Sequence, residues 1–89
     1  MQKTMITIWD ELMEMSKVRP YVFKTRLHRA IIQTQKYGNE KNNGKLMELC
    51  QQLEDKMRFI SDQSNQTSDG ELRSYLVLKE DMQKIRNEM

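Results

Sequence analysis

The stretch LMELCQQLEDKMRFI, residues 46–60, sets Leu46, Cys50, Leu53, Met57 and Ile60 at spacings of 4, 3, 4 and 3. An α-helix turns once in about 3.6 residues, so this heptad-like spacing gathers all five side chains on one face. The segment YLVLKEDMQKIRNEM, residues 75–89, repeats the pattern with Tyr75, Leu78, Met82, Ile85 and Met89, while Lys79, Glu80, Lys84 and Arg86 fall between them as the solvated side. Residues 61–67, SDQSNQT, hold no large apolar side chain and read as a loop. Ser68 followed by Glu71 has the spacing of a capping box, in which the serine oxygen accepts from an orphan amide and the glutamate reaches back. The sequence therefore predicts helices over about 44–61 and 69–88, joined by a short polar loop as an antiparallel hairpin.

Working outward from this hairpin, the first half also reads as helical. Met5, Ile8, Leu12 and Met15 recur at 3, 4 and 3, with Thr7 and Asp10 spaced to cap, which predicts a short helix over about 7–17. Residues 5–9 are rich in β-formers and also fit a short strand, although one strand with no visible partner cannot make a sheet. Pro20 ends the first helix and suits the first position of a second, where its missing amide would be unsatisfied anyway. That second helix is expected over about 21–37, burying Phe23, Leu27, Ala30, Ile31 and Thr34, with Gly38 as a left-handed terminator and residues 39–44 as the turn into the third. The expectation is a single all-α domain over residues 1–89, a small bundle of three to four helices.

A chain of 89 residues buries only about 60–65% of the surface that its unfolded form exposes. Its apolar content of 37% lies below the roughly 45–50% of ordinary globular domains. A core this thin leaves a lone monomer marginal and favours self-association or partner-assisted folding, and a homodimer is expected. No stretch approaches the roughly 20 apolar residues of a membrane span, and the residues from Met1 to Trp9 show no apolar leader core followed by a small-residue cleavage site. The single cysteine, Cys50, cannot form an internal disulfide. A cytoplasmic location is expected on these grounds, so the glycosylation-like triplet Asn65-Gln66-Thr67 reads as a polar loop only.

Charge is the most informative pattern, because a net charge of +2 conceals three unlike segments. Residues 1–16 set Lys3 against Asp10, Glu11 and Glu14 and sum to −2, and residues 46–89 sum to −3. Between them Lys17, Arg19, Lys24, Arg26, Arg29, Lys36, Lys41 and Lys45 face Glu40 alone, a net +7, with Tyr21, Phe23 and Tyr37 interleaved. Arg26, Arg29, Gln33 and Lys36 recur at 3, 4 and 3 and form a stripe beside the apolar face of the second helix. Arginine offers a planar fork of donors and lysine a compact charge, so a row of them along one helix suits a phosphate backbone. The expected nucleic-acid-binding residues are Arg19, Lys24, Arg26, Arg29, Gln33, Lys36, Lys41 and Lys45. The same row could face an acidic protein, or be compensated by the acids of the other helices. Ile32, roughly opposite the apolar face, and Tyr37 are the expected partner-binding positions; Val22 also lies off that face.

No catalytic constellation is legible. His28 lies among cations and Cys50 on an apolar face, which gives no plausible nucleophile–base pair. Glu54-Asp55 reads as a solvated acidic pair rather than a metal site. Gly38, Gly44 and Gly70 are isolated rather than parts of a phosphate-binding loop. Met57 and Met82 fall on apolar faces as gap-fillers, whereas Met13 and Met47 could line an adaptable protein-binding surface. The chain is thus expected to be non-enzymatic, with no cofactor, metal or small-molecule substrate.

Nine Lys, eight Gln, eight Met, six Ile and five Asn stand against one Ala, one Pro and three Gly. In this composition, which an AT-rich genome favours, the whole chain resembles the small accessory proteins of large tailed bacteriophages. The resemblance implies an intracellular host-takeover or anti-defence protein that blocks a host enzyme or defence factor, and no site residue follows from it. Together with the basic helix, it leads to the expectation of a binding protein that modulates or inhibits a nucleic-acid-associated host factor, contacting RNA or DNA. The alternative is a protein–protein adaptor or inhibitor that touches no nucleic acid.

Overall fold

In the computed structural model residues 4–62 and 67–89 are described, with Ser68 described in its backbone only. Their regular structure is entirely helical: α1 (Met5–Glu14), α2 (Pro20–Glu40), α3 (Gly44–Ser61), α4 (Ser68–Val77) and α5 (Lys79–Glu88). Most of the loop expected over 61–67, including Asn65 and Gln66, lies outside the described residues. No helix among the described residues is long and apolar enough to cross a membrane.

The first helix begins two residues before its expected start, because Thr4, extended in backbone, accepts from the Thr7 amide at 3.1 Å and caps it. This settles residues 5–9 as helix rather than strand. It ends at Glu14, short of the expected residue 17, where Met15 turns extended and its amide bonds to the Leu12 carbonyl. The face spaced through Met5, Ile8, Leu12 and Met15 is only part of the buried set. Trp9 is completely enclosed beside Leu12, and Ile8, Met13 and Met15 pack around them half-buried.

Pro20 opens α2 as expected. The helix nevertheless runs through Gly38, which is helical rather than left-handed, and stops at Glu40. The left-handed residue is Asn42, at φ 54°, flanked by bonds from the Asn42 amide to the Asn39 carbonyl (3.3 Å) and from the Asn43 amide to the Gly38 carbonyl (2.9 Å). This pair of bonds is a Schellman closure, and asparagine tolerates the left-handed conformation it needs. Gly38 lies instead where α3 comes near, and a Cβ there would stand 3.0 Å from Met47 Cγ, an atom of a flexible side chain. Asn43 then accepts from the Leu46 amide at 3.1 Å and caps α3.

The stripe of α3 is buried at Leu46, Cys50, Leu53 and Met57, with Ile60 half-buried at its end. The predicted helix 69–88 is broken at Leu78, whose amide reaches back only three residues to Tyr75 and whose ψ is close to zero. The bend lets the two halves seek different neighbours. Through α4, Tyr75 stacks on Phe23 of α2, with ring centroids 6.0 Å apart and planes at 24°. Through α5, Met82 and Ile85 join α1 and α3 in the same core. Thr67, rather than Ser68, is the residue observed to cap α4, accepting from the Gly70 amide at 3.0 Å; the side chain of Ser68 lies outside the described set. All five core positions expected on α2 are buried: Phe23, Leu27, Ala30, Ile31 and Thr34.

Ion pairs tie α5 back to the rest: Arg86 to Asp10 (2.9 Å), Asp81 to Lys56 (3.0 Å) and Glu88 to Lys45 (3.4 Å). Within α3, Arg58 and Glu54 pair at 2.7 Å across one helical turn.

Candidate nucleic-acid interface

The second helix is the longest of the five and packs on α1 along one flank and on α3 along the other. Its buried face is fixed by Phe23, Leu27, Ala30, Ile31 and Thr34, so the 3, 4, 3 spacing of Arg26, Arg29, Gln33 and Lys36 must emerge beside it. All four are exposed, and the stripe borders the α1 flank. A helical rise of about 1.5 Å per residue spreads the stripe over about 15 Å. Arg26, Arg29 and Lys36 form no ion pair with a described residue, whereas Lys45, Lys56, Arg58 and Arg86 are each matched to a carboxylate. Asp10, Glu54, Asp81 and Glu88 are thus paired with cations outside the stripe.

The remaining expected residues separate from it. Arg19, the residue before Pro20, is exposed at the start of α2, seven positions before Arg26 and hence on nearly the same side. Lys24 lies on the opposite flank, where its Nζ donates to the Ser61 hydroxyl at the end of α3. Lys41 is exposed in the turn after α2, with its Nζ 5.9 Å from the centre of the half-buried Tyr37 ring. Lys45 is in the first turn of α3 and is paired with Glu88. Ile32 is 52% exposed on the side of α2 away from the core.

One feature was not anticipated. Between α1 and α2 lies a cleft of about 390 Å³, floored by Leu12 and Ala30, walled by Ile8 and Met15, and rimmed by Arg26, Arg29 and Gln33 on one lip and Glu11 on the other. No periodicity signals such a gap, because it depends on how far apart two helices stand. A second, shallower groove lies between α3 and α4, where Phe59 and Val77 are 69% and 75% exposed beside Ile60 and Leu78.

Two titratable side chains, Cys50 and Tyr75, are enclosed in the core. Cys50 is sealed in the core, and burial pushes its thiol up to about 11, which keeps it protonated at neutral pH. Burial likewise raises the Tyr75 phenol, and the nearby Glu71 carboxylate adds to the rise while the Ser61 hydroxyl opposes it. Tyr75 Oη makes no hydrogen bond of ordinary geometry to a described group, so Ser61 acts on it as a neighbouring dipole. No group of three or more His, Cys, Asp or Glu among the described residues is arranged to hold a metal ion.

No protein-family model, curated protein or solved structure matches the chain at a significant level.

Proposed function

We propose that the protein is a non-enzymatic binding module whose α2 stripe, Arg26, Arg29, Gln33 and Lys36, contacts the phosphates of RNA or DNA. The observation that supports this most strongly is electrostatic. The stripe's three cations are exposed along one side of a single helix and form no ion pair with a described residue. Three like charges held along about 15 Å repel one another and are relieved by an anionic partner of similar linear charge. Arg19 and Lys41 extend the positive surface at the two ends of α2. RNA is favoured over duplex DNA, because no helix-turn-helix spacing places α2 as a major-groove reader.

In this reading the protein acts in the host cytoplasm and modulates or inhibits a nucleic-acid-associated host factor, the role that its phage-like composition implies. The last long helical stretches form an antiparallel hairpin held by the Lys45–Glu88 and Lys56–Asp81 pairs. A homodimer forms through the Phe59–Val77 groove, whose exposed apolar side chains would be covered by the same surface of a second copy under a two-fold axis. The exposure of Ile32, Phe59 and Val77 favours a second reading, a protein–protein adaptor using these apolar surfaces alone.

Titrating labelled single-stranded RNA with the full chain at rising salt separates the two. Phosphate binding loses affinity steeply as salt rises, whereas an apolar protein interface responds little. Absence of RNA and DNA binding in low salt leaves the adaptor reading.

A further inference from the structure

We infer that the α1–α2 cleft receives one splayed-out base of a single-stranded nucleic acid whose backbone lies along the α2 stripe. This rests on the phosphate-binding reading above and adds what the stripe alone lacks, a place for the base. The cleft is amphipathic in the required sense. Its floor and walls, Leu12, Ala30, Ile8 and Met15, are apolar and suit the face of a flat ring, and its volume of about 390 Å³ falls within the range of small-ligand sites. Its lips are chemically opposite. Arg26 and Arg29, three residues apart on α2, supply guanidinium planes that both bind phosphate and stack on bases, and Gln33 beside them offers an amide that donates to and accepts from a base edge. Glu11 on α1 is the one acid among the described lining residues, so the α2 lip is the cationic one and the phosphates lie against it. A duplex cannot use the cleft, because its bases are stacked and paired, so the geometry selects single strands.

The test uses the full chain and four probes of matched length, about twelve units: single-stranded oligothymidylate, an abasic strand of the same backbone, a blunt duplex, and polyglutamate. Oligothymidylate should bind about tenfold more tightly than the abasic strand, the scale of sequestering one base, and the duplex should bind no better than the abasic strand. Gln33→Ala, at an exposed position, should weaken oligothymidylate binding more than abasic binding, so that the ratio of the two affinities falls toward one. Ala30→Leu, which fills the cleft floor, should do the same if its circular dichroism matches wild type; Gln33→Ala decides the matter if it does not fold. Equal binding of oligothymidylate and the abasic strand overturns the cleft inference and leaves the phosphate reading standing. Binding to neither strand overturns both, as does competition by polyglutamate as effective as that by the oligonucleotide.

Discussion

The indole Nε1 of Trp9 donates to the Thr34 hydroxyl across 2.9 Å, and both side chains are completely sealed from solvent. This bond joins α1 to α2 and fixes how α1 lies along the flank that carries the basic stripe. A lone threonine on an apolar face is thereby explained, since its hydroxyl satisfies the one polar atom of the largest buried side chain.

Removing either partner strands the other in the core. Trp9→Phe and Thr34→Val should each destabilise the fold by about 1–3 kcal/mol, the scale of an unsatisfied buried polar group. The double substitution should cost less than the two together, with a coupling of about 0.5–3 kcal/mol. Urea denaturation of the four proteins measures this, and strict additivity would show that the bond contributes nothing specific.

Termination of α2 gives a second prediction. Gly38 is helical and its nearest obstacle, Met47, has a flexible, partly exposed side chain, so Gly38→Ala should be neutral or stabilising by up to about 1 kcal/mol. Asn42 carries the positive φ, so Asn42→Ala should cost about 1–2 kcal/mol and Asn42→Gly little. Thermal melts that reversed this order would place the left-handed terminator at Gly38.

Much of this architecture is legible in the residues themselves. The buried faces of α2, α3 and α5 follow from spacing, because a face repeats locally and needs no knowledge of neighbours. Boundaries are less legible: Gly38 has the composition of a terminator, yet α2 passes through it and the left-handed residue is Asn42. The break at Leu78 is silent in the periodicity, since Tyr75, Leu78, Met82 and Ile85 keep helical spacing across it. The stripe Arg26–Lys36 could be placed from sequence, but not the departure of Lys24 to Ser61 or of Lys45 to Glu88, which depends on register between helices. The cleft is invisible for the same reason.

Alkaline pH provides a third test. The Cys50 thiol is raised from 9.0 to about 11 in the folded chain, so between these values the unfolded state loses a proton that the folded state retains. Stability is therefore intact below about pH 9 and falls as pH rises toward 11, by about 2–3 kcal/mol from this group, with Tyr75 adding in the same direction. Cys50→Ala should flatten the alkaline part of a stability–pH profile, and an unchanged slope would show that the thiol ionises freely in the fold.

Assembly gives a fourth. With the α3 and α5 stripes consumed inside one chain, the groove at Phe59 and Val77 offers two highly exposed apolar side chains side by side for pairing. Sedimentation at micromolar concentration should show a dimer that Phe59→Ser with Val77→Ser converts to a monomer. A wild-type monomer throughout the accessible range would remove this interface.

The central claim is that Arg26, Arg29 and Lys36 meet phosphates, and its most direct test is the salt dependence of RNA affinity in wild type and in the three single alanine variants. All three side chains are exposed and lie outside the core, so helicity should be unchanged. Each lost contact releases one fewer counterion, so each variant should bind more weakly and flatten the plot of log affinity against log salt by roughly 0.7–0.9. Base preference set by phosphate contacts alone should shift little, since phosphates position a protein without reading sequence. Variants that weaken binding without changing the slope, or a wild-type protein that binds neither RNA nor DNA in low salt, would contradict the account.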